Sequence, residues 1–163
     1  MKDSPANKLG ELLILRIDAE RWTPSLERLL RAAAAAGILL PRLSSPDHTA
    51  ELLRKIASVL PGPPLLMLEE EGGEVDPLRA ILPSLPPPQA AAERGRAAVA
   101  ELGELIGEAL SLLGFNTNLA PLLDLATPAC GLICATRTLG ADPQLVAQHG
   151  QAFLRGLERH KIL

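Results

Sequence analysis

LLMLEEEGGEV, residues 65–75, joins an apolar run to three carboxylates and two glycines. Pro61-Gly62-Pro63-Pro64 bounds the run on its N-terminal side. Four apolar residues in a row, with no polar alternation, suit a parallel strand covered on both faces. The acids then mark where the chain leaves the interior, and two glycines allow a sharp turn and a close approach to a ligand. Successive side chains on an extended strand end point to opposite faces, so only alternate members of Glu69, Glu70 and Glu71 can share a site. The expectation is that Glu69 faces a pocket, Glu71 and the glycines shape the turn, and Glu70 points away or pairs with an arginine.

Similar units lie on either side. Residues 12–16 read as a strand, and Thr23-Pro24 opens a helix that runs to Gly37, with Leu26, Leu29, Leu30 and Ala33 on one face. Residues 38–40 read as a second strand, and Ser45-Pro46 opens a helix that buries Leu52, Leu53, Ile56 and Val59. After residues 65–68 come a Pro-rich spacer at 83–88 and one long Ala-rich helix over 89–113. In that helix Gly103 and Gly107 sit one turn apart, which permits close packing of another element. Residues 119–125 read as a fourth strand, Asp142-Pro143 opens a last helix, and Lys161-Ile162-Leu163 stands where a fifth strand begins. Strand–helix alternation implies parallel strands with right-handed crossovers. An open doubly wound sheet and part of a (βα)8 barrel both fit. The phosphate fingerprints GxGxxG and GxxxxGK[ST] are absent.

Composition narrows the function classes. The chain has 163 residues, 47% of them hydrophobic, which suits one domain over 1–163 with an aliphatic core. A net charge of -3 offers no basic footprint for nucleic acid. The longest apolar candidate, 32–40, is too short to span a bilayer. MKDSPANKLGE at the N-terminus lacks the apolar centre of a signal peptide, so a cytoplasmic location is expected. Cys130 and Cys134 are expected as free thiols, with a disulfide or a metal half-site as alternatives. His48, His149 and His160 fall in helical patterns and read as surface or core residues.

In either architecture ligands bind beyond the carboxyl ends of the strands. The polar residues there are Arg16 and Asp18, Arg42, Glu69 to Glu71, Asp124, and Arg137 in TRTLG. Carboxylates opposed to guanidinium groups suit a polyhydroxylated ligand, since each hydroxyl both donates and accepts. The plainer reading is a rim whose charges pair with one another.

Three ordered motifs carry a resemblance across nearly the whole chain: LMLEEEGGEV (66–75), GFNTNLAPLLDLAT (114–127) and ATRTLGADPQLVAQHGQAFLRGL (135–157). Together they resemble the N-terminal domain of glycoside hydrolase family 3, most of all the bacterial β-N-acetylhexosaminidases. The resemblance implies the first half of a (β/α)8 TIM-type barrel: about four βα units plus the start of a fifth strand. It implies substrate-binding roles for Arg137, which matches the family's sugar-contacting arginine, and for Glu69, which stands where the family has an aspartate. Glu69 adds a methylene at that position. Glu74 replaces a usual basic residue. Asn118, Pro121 and Asp124 match positions read as structural.

Retaining hydrolysis needs a nucleophilic carboxylate and an acid/base group flanking the glycosidic bond, about 5 Å apart. By resemblance the nucleophilic aspartate and a Lys-His-x-x-Gly-His segment would follow Leu163, so no catalytic residue is expected in this chain, which alone is expected to be inactive. The expected partner is a carbohydrate substrate, with no cofactor. A divalent cation on the acidic cluster has oxygen donors but no recognisable loop spacing. A half-barrel leaves two open sheet edges, so the isolated chain is expected to form a homodimer through them or to aggregate.

Overall fold

Three helix starts are set by a capping side chain followed by proline. Thr23 Oγ1 accepts from Leu26 N at 3.1 Å, Ser45 Oγ from His48 N at 3.3 Å, and Asp142 Oδ1 from Leu145 N at 2.8 Å. Each occupies a free backbone donor of the first turn, and the proline that follows lacks a donor to lose. The computed structural model describes residues 9–18, 21–134 and 136–163; the charged N-terminal stretch 1–8 and Ala135 of the third motif lie outside them.

In chain order the elements are β1 (Ile14–Arg16), α1 (Pro24–Ala33), β2 (Gly37–Leu39), α2 (Pro46–Val59), β3 (Leu65–Leu68), α3 (Pro88–Glu93), α4 (Arg96–Leu113), β4 (Thr117–Asn118) and α5 (Pro143–Glu158). A single-turn 3-10 helix at Pro77–Ala80 and an irregular one at Pro128–Cys134 lie in the loops. Among the described residues no helix is long and apolar enough to cross a membrane.

The four strands are parallel and lie in the order β1-β2-β3-β4. A doubly wound sheet reverses its order at a switch point; this one never does. Past β4, Leu163 N donates to Asn116 O at 3.0 Å and Asn118 N donates to Leu163 O at 2.8 Å. That is one rung of a parallel ladder, the start of a fifth strand on the far side of β4. The chain folds as the first half of a (β/α)8 barrel.

The helices cover the outside of the sheet. Leu30, Ile56, Ile106, Leu110, Phe153 and Leu157 have no exposed surface and fill the layer between. Gly103 and Gly156 let α4 and α5 touch backbone to backbone: a Cβ on Gly103 would overlap the Phe153 carbonyl, and one on Gly156 the Glu104 amide. The close approach read from Gly103 and Gly107 is therefore made by α5.

Several boundaries differ from the sequence reading. Helix α1 stops at Ala34, which takes the left-handed conformation (φ 48), not at Gly37. Gly37 is the first residue of β2, where a Cβ would lie 2.7 Å from the Leu65 side chain and carbonyl. The long Ala-rich helix is two, α3 and α4, parted at Arg94-Gly95. The fourth strand is Thr117–Asn118, ahead of the expected 119–125. Leu119 N still bonds Leu68 O at 2.9 Å, but Pro121 has no N–H to continue the ladder. Cys130 and Cys134, expected as thiols, are joined as a disulfide with Cα atoms 5.6 Å apart.

Candidate functional site

The carboxyl end of β3 is built by side chains that behave as extra backbone. Asn118 Oδ1 accepts from Glu70 N and Asn118 Nδ2 donates to Glu70 O, both at 2.9 Å. Asn116 does the same one turn of pleat earlier: its Oδ1 accepts from Leu66 N at 2.8 Å and its Nδ2 donates to Pro64 O at 2.9 Å. In the Asn-x-Asn motif the two amides thus extend the β3–β4 ladder at both ends, which satisfies donors and acceptors that a two-residue strand cannot. Asn118 is structural, as read.

Just beyond, the three carboxylates go to three different places. Glu69 is exposed. Glu70 is fully buried; its Oε1 accepts from Gly72 N at 2.8 Å and its Oε2 from Leu78 N at 3.0 Å. Burial pushes its carboxyl up to about 8; neighbouring Asp76 also raises it, while the two backbone donors work against the shift. Asp76, itself buried, accepts from Arg79 N at 2.8 Å and Leu85 N at 3.3 Å. The two acids thereby stitch residues 70–85 into one turn. Gly72 (φ 84) and Gly73 (φ 63) pass so close to Pro86 and Pro87 that a Cβ on either would lie within 2.6 Å of them.

Glu71 is buried and holds Arg137 in a two-pronged pair: Nε donates to Oε2 at 2.8 Å and Nη2 to Oε1 at 2.6 Å. The Arg137 side chain is 17% exposed and that of Glu71 2%. The Glu71 hydrogen bond raises the guanidinium above its ordinary value, burial opposes this, and the charges of Glu69 and Glu74 add to the rise. Glu69 and Arg137 therefore stand at the same end of the sheet, within electrostatic reach of each other.

The expected roles of Glu70 and Glu71 are exchanged. Glu70 shapes the turn and Glu71 takes the arginine. The signal was the alternation itself: Glu69 and Glu71 leave an extended strand end on one face and Glu70 on the other. What the sequence did not reveal is that the Arg137 loop reaches Glu71. Elsewhere on the rim, Asp18 and Arg42 pair loosely at 3.9 Å, both exposed, beside a 90 Å³ cleft lined by Leu40, Ser44 and His48. The plainer reading of the rim, charges pairing with one another, holds for these two pairs. Asp124 is exposed beyond β4, near the two cysteines. His149 is buried, with Nδ1 3.1 Å from Leu139 O, a packed position as expected.

A half-barrel of βα units with an acid–arginine rim at the carboxyl ends of its strands defines a class, and comparison gives it a family. Residues 6–163 match the glycosyl hydrolase family 3 N terminal domain, and the chain belongs to that family. A curated β-hexosaminidase of Thiobacillus denitrificans is 30% identical over 158 residues, 92% of this chain and 44% of that protein. A β-hexosaminidase of Methylococcus capsulatus is 31% identical over 82% of this chain and 41% of its own length. The chain thus spans less than half the length of these relatives. Among solved structures, a family 3 β-N-acetylglucosaminidase from a Paenibacillus strain superposes with a TM-score of 0.88 at 24% identity, over 98% of this chain and 32% of that one. At that identity the likeness bears on the fold.

Proposed function

We propose that this chain supplies the substrate-gripping half of a retaining glycosidase acting on β-linked sugars, with N-acetylhexosaminides the favoured class, and that Glu69 and Arg137 bind the sugar. The observation that carries the reading is the Glu71–Arg137 pair. Arginine has five N–H donors, and Glu71 occupies Nε and one Nη2 hydrogen. Among the described residues nothing else takes the remaining donors, which leaves them for sugar hydroxyls on a group whose position and charge are already fixed. Exposed Glu69 offers acceptors for the hydrogens of the same hydroxyls. Preorganised donors beside an acceptor are what a sugar subsite requires. Family membership and the names of the two curated relatives support the substrate class. The nucleophile and the acid/base group belong, in this proposal, to sequence beyond Leu163, and the compartment is the cytoplasm.

The alternative is a non-catalytic carbohydrate-binding or structural relic, favoured by the longer Glu69 side chain. One measurement tests where the catalytic groups lie, and a second separates the two readings. A chromogenic β-N-acetylglucosaminide should give no turnover with the 163-residue chain; steady hydrolysis would place catalytic groups here and overturn the assignment. Titration calorimetry with N-acetylglucosamine should show binding that Arg137→Ala abolishes. Absence of heat in both proteins favours the relic.

A further inference from the structure

The loop between β4 and α5 holds a cluster that the sugar site does not use. Asp124, Cys130 and Cys134 each bring one ligand atom into a group whose members all lie within 4.8 Å of one another. Cys134 is buried, Cys130 half-buried and Asp124 exposed. Among the described residues no lysine or arginine pairs with Asp124. The Cα separation of 5.6 Å accommodates the disulfide. It equally accommodates a shared ion: two thiolates at about 2.3 Å from a tetrahedral zinc stand about 3.8 Å apart.

We propose that Cys130, Cys134 and Asp124 form a reduction-dependent site for a thiophilic divalent cation of the zinc class, three protein ligands leaving a fourth position to water. Two soft sulfur donors select such an ion over magnesium or calcium. A dithiol reductant breaks the Sγ–Sγ bond: two electrons and two protons pass to the sulfurs, and the reductant leaves as its own disulfide. The cation then displaces the two thiol protons to solvent, and the Asp124 carboxylate supplies the third donor. In the oxidised chain each sulfur is bonded to the other and neither ligates as a thiolate. A reducing compartment holds the pair in the binding form. The site adjoins the sugar rim, because Arg137 N and Thr138 N donate to Cys134 O at 3.1 and 3.2 Å. Cation binding therefore braces the segment that presents Arg137.

The test is a cobalt(II) titration of the full chain, reduced with a phosphine that is then removed under argon. The reduced chain should take up one equivalent and show thiolate-to-cobalt charge transfer in the near ultraviolet, with the visible bands of tetrahedral cobalt; zinc should bleach both. The oxidised chain should show neither. Asp124→Asn, a change at an exposed position, should weaken cobalt binding at least about tenfold. No charge-transfer band in the reduced chain overturns the proposal. So does an Asp124→Asn chain with unaltered affinity. Neither result touches the sugar-binding reading, which calorimetry with N-acetylglucosamine reads separately.

Discussion

Glu70 and Glu71 are neighbours with opposite electrostatic fates, and each makes a measurable claim. The Glu70 carboxyl is raised to about 8 from an ordinary 4.5, so the folded chain holds a proton that the unfolded chain releases. The stability this contributes is complete below pH 4.5 and is lost as pH rises to about 8. Chemical denaturation across that window should show a decline on the order of a few kcal/mol, and Glu70→Gln should flatten it. A profile that is the same in both proteins would mean that Glu70 is charged throughout. Glu71→Ala leaves the Arg137 guanidinium, 17% exposed, without its partner. Loss of one member of a mostly buried pair costs about 3 kcal/mol, and the thermal midpoint should fall accordingly. Arg137→Ala should cost a similar amount, and the double variant less than the sum of the two, since the pair is a coupled unit.

At the scale of elements, two contacts hold the rim in place. The first is the amide ladder of Asn116 and Asn118. Asn118→Ala strips partners from both Glu70 N and Glu70 O, and unsatisfied buried groups cost about 1–3 kcal/mol each. Amide hydrogen exchange should rise first in residues 70–78, which that ladder anchors. The second is the α4–α5 seam. Gly156→Val pushes carbon into the Glu104 amide and the Ala100 carbonyl, backbone atoms that cannot rotate away. Overpacking of this kind costs about 1–3 kcal/mol, whereas Ala97→Ser, on the exposed face of α4, should leave the melt unchanged.

At the scale of the whole molecule the open sheet governs behaviour. Among the described residues one edge is β1, where Ile14 is 42% exposed, with Leu12 and Leu13 just ahead of it 81% and 45% exposed. The other lies beyond the Leu163 rung. Unpaired edges flanked by exposed leucine seek partners. We expect the isolated chain to dimerise edge to edge, each half closing the other, or to aggregate. Light scattering decides: a monodisperse monomer would count against an open half-barrel. The intact mass of the protein from its source would show whether further barrel strands belong to the same polypeptide.

The elements were legible because their signals are local. Ser45-Pro46, Asp142-Pro143 and the apolar run 65–68 mark starts and strands through capping, fixed proline geometry and burial, none of which needs a distant partner. The rim of Glu69 to Glu71 and Arg137 was legible from its place at the strand ends; the sugar-binding roles of Glu69 and Arg137 came only from the resemblance. Tertiary structure decided the rest. Alternation admitted an open sheet or a barrel until the unreversed strand order chose. Residues 119–125 form an apolar run that reads as a strand, yet the strand lies at Thr117–Asn118, where two asparagine amides bond to β3 across some 50 residues of chain and Pro121 ends the ladder. Which of three adjacent acids meets Arg137, 66 positions from Glu71, depends on how two loops fold over one rim. Caps and turns are fixed by neighbours in sequence; charge partners and strand ends are fixed by neighbours in space.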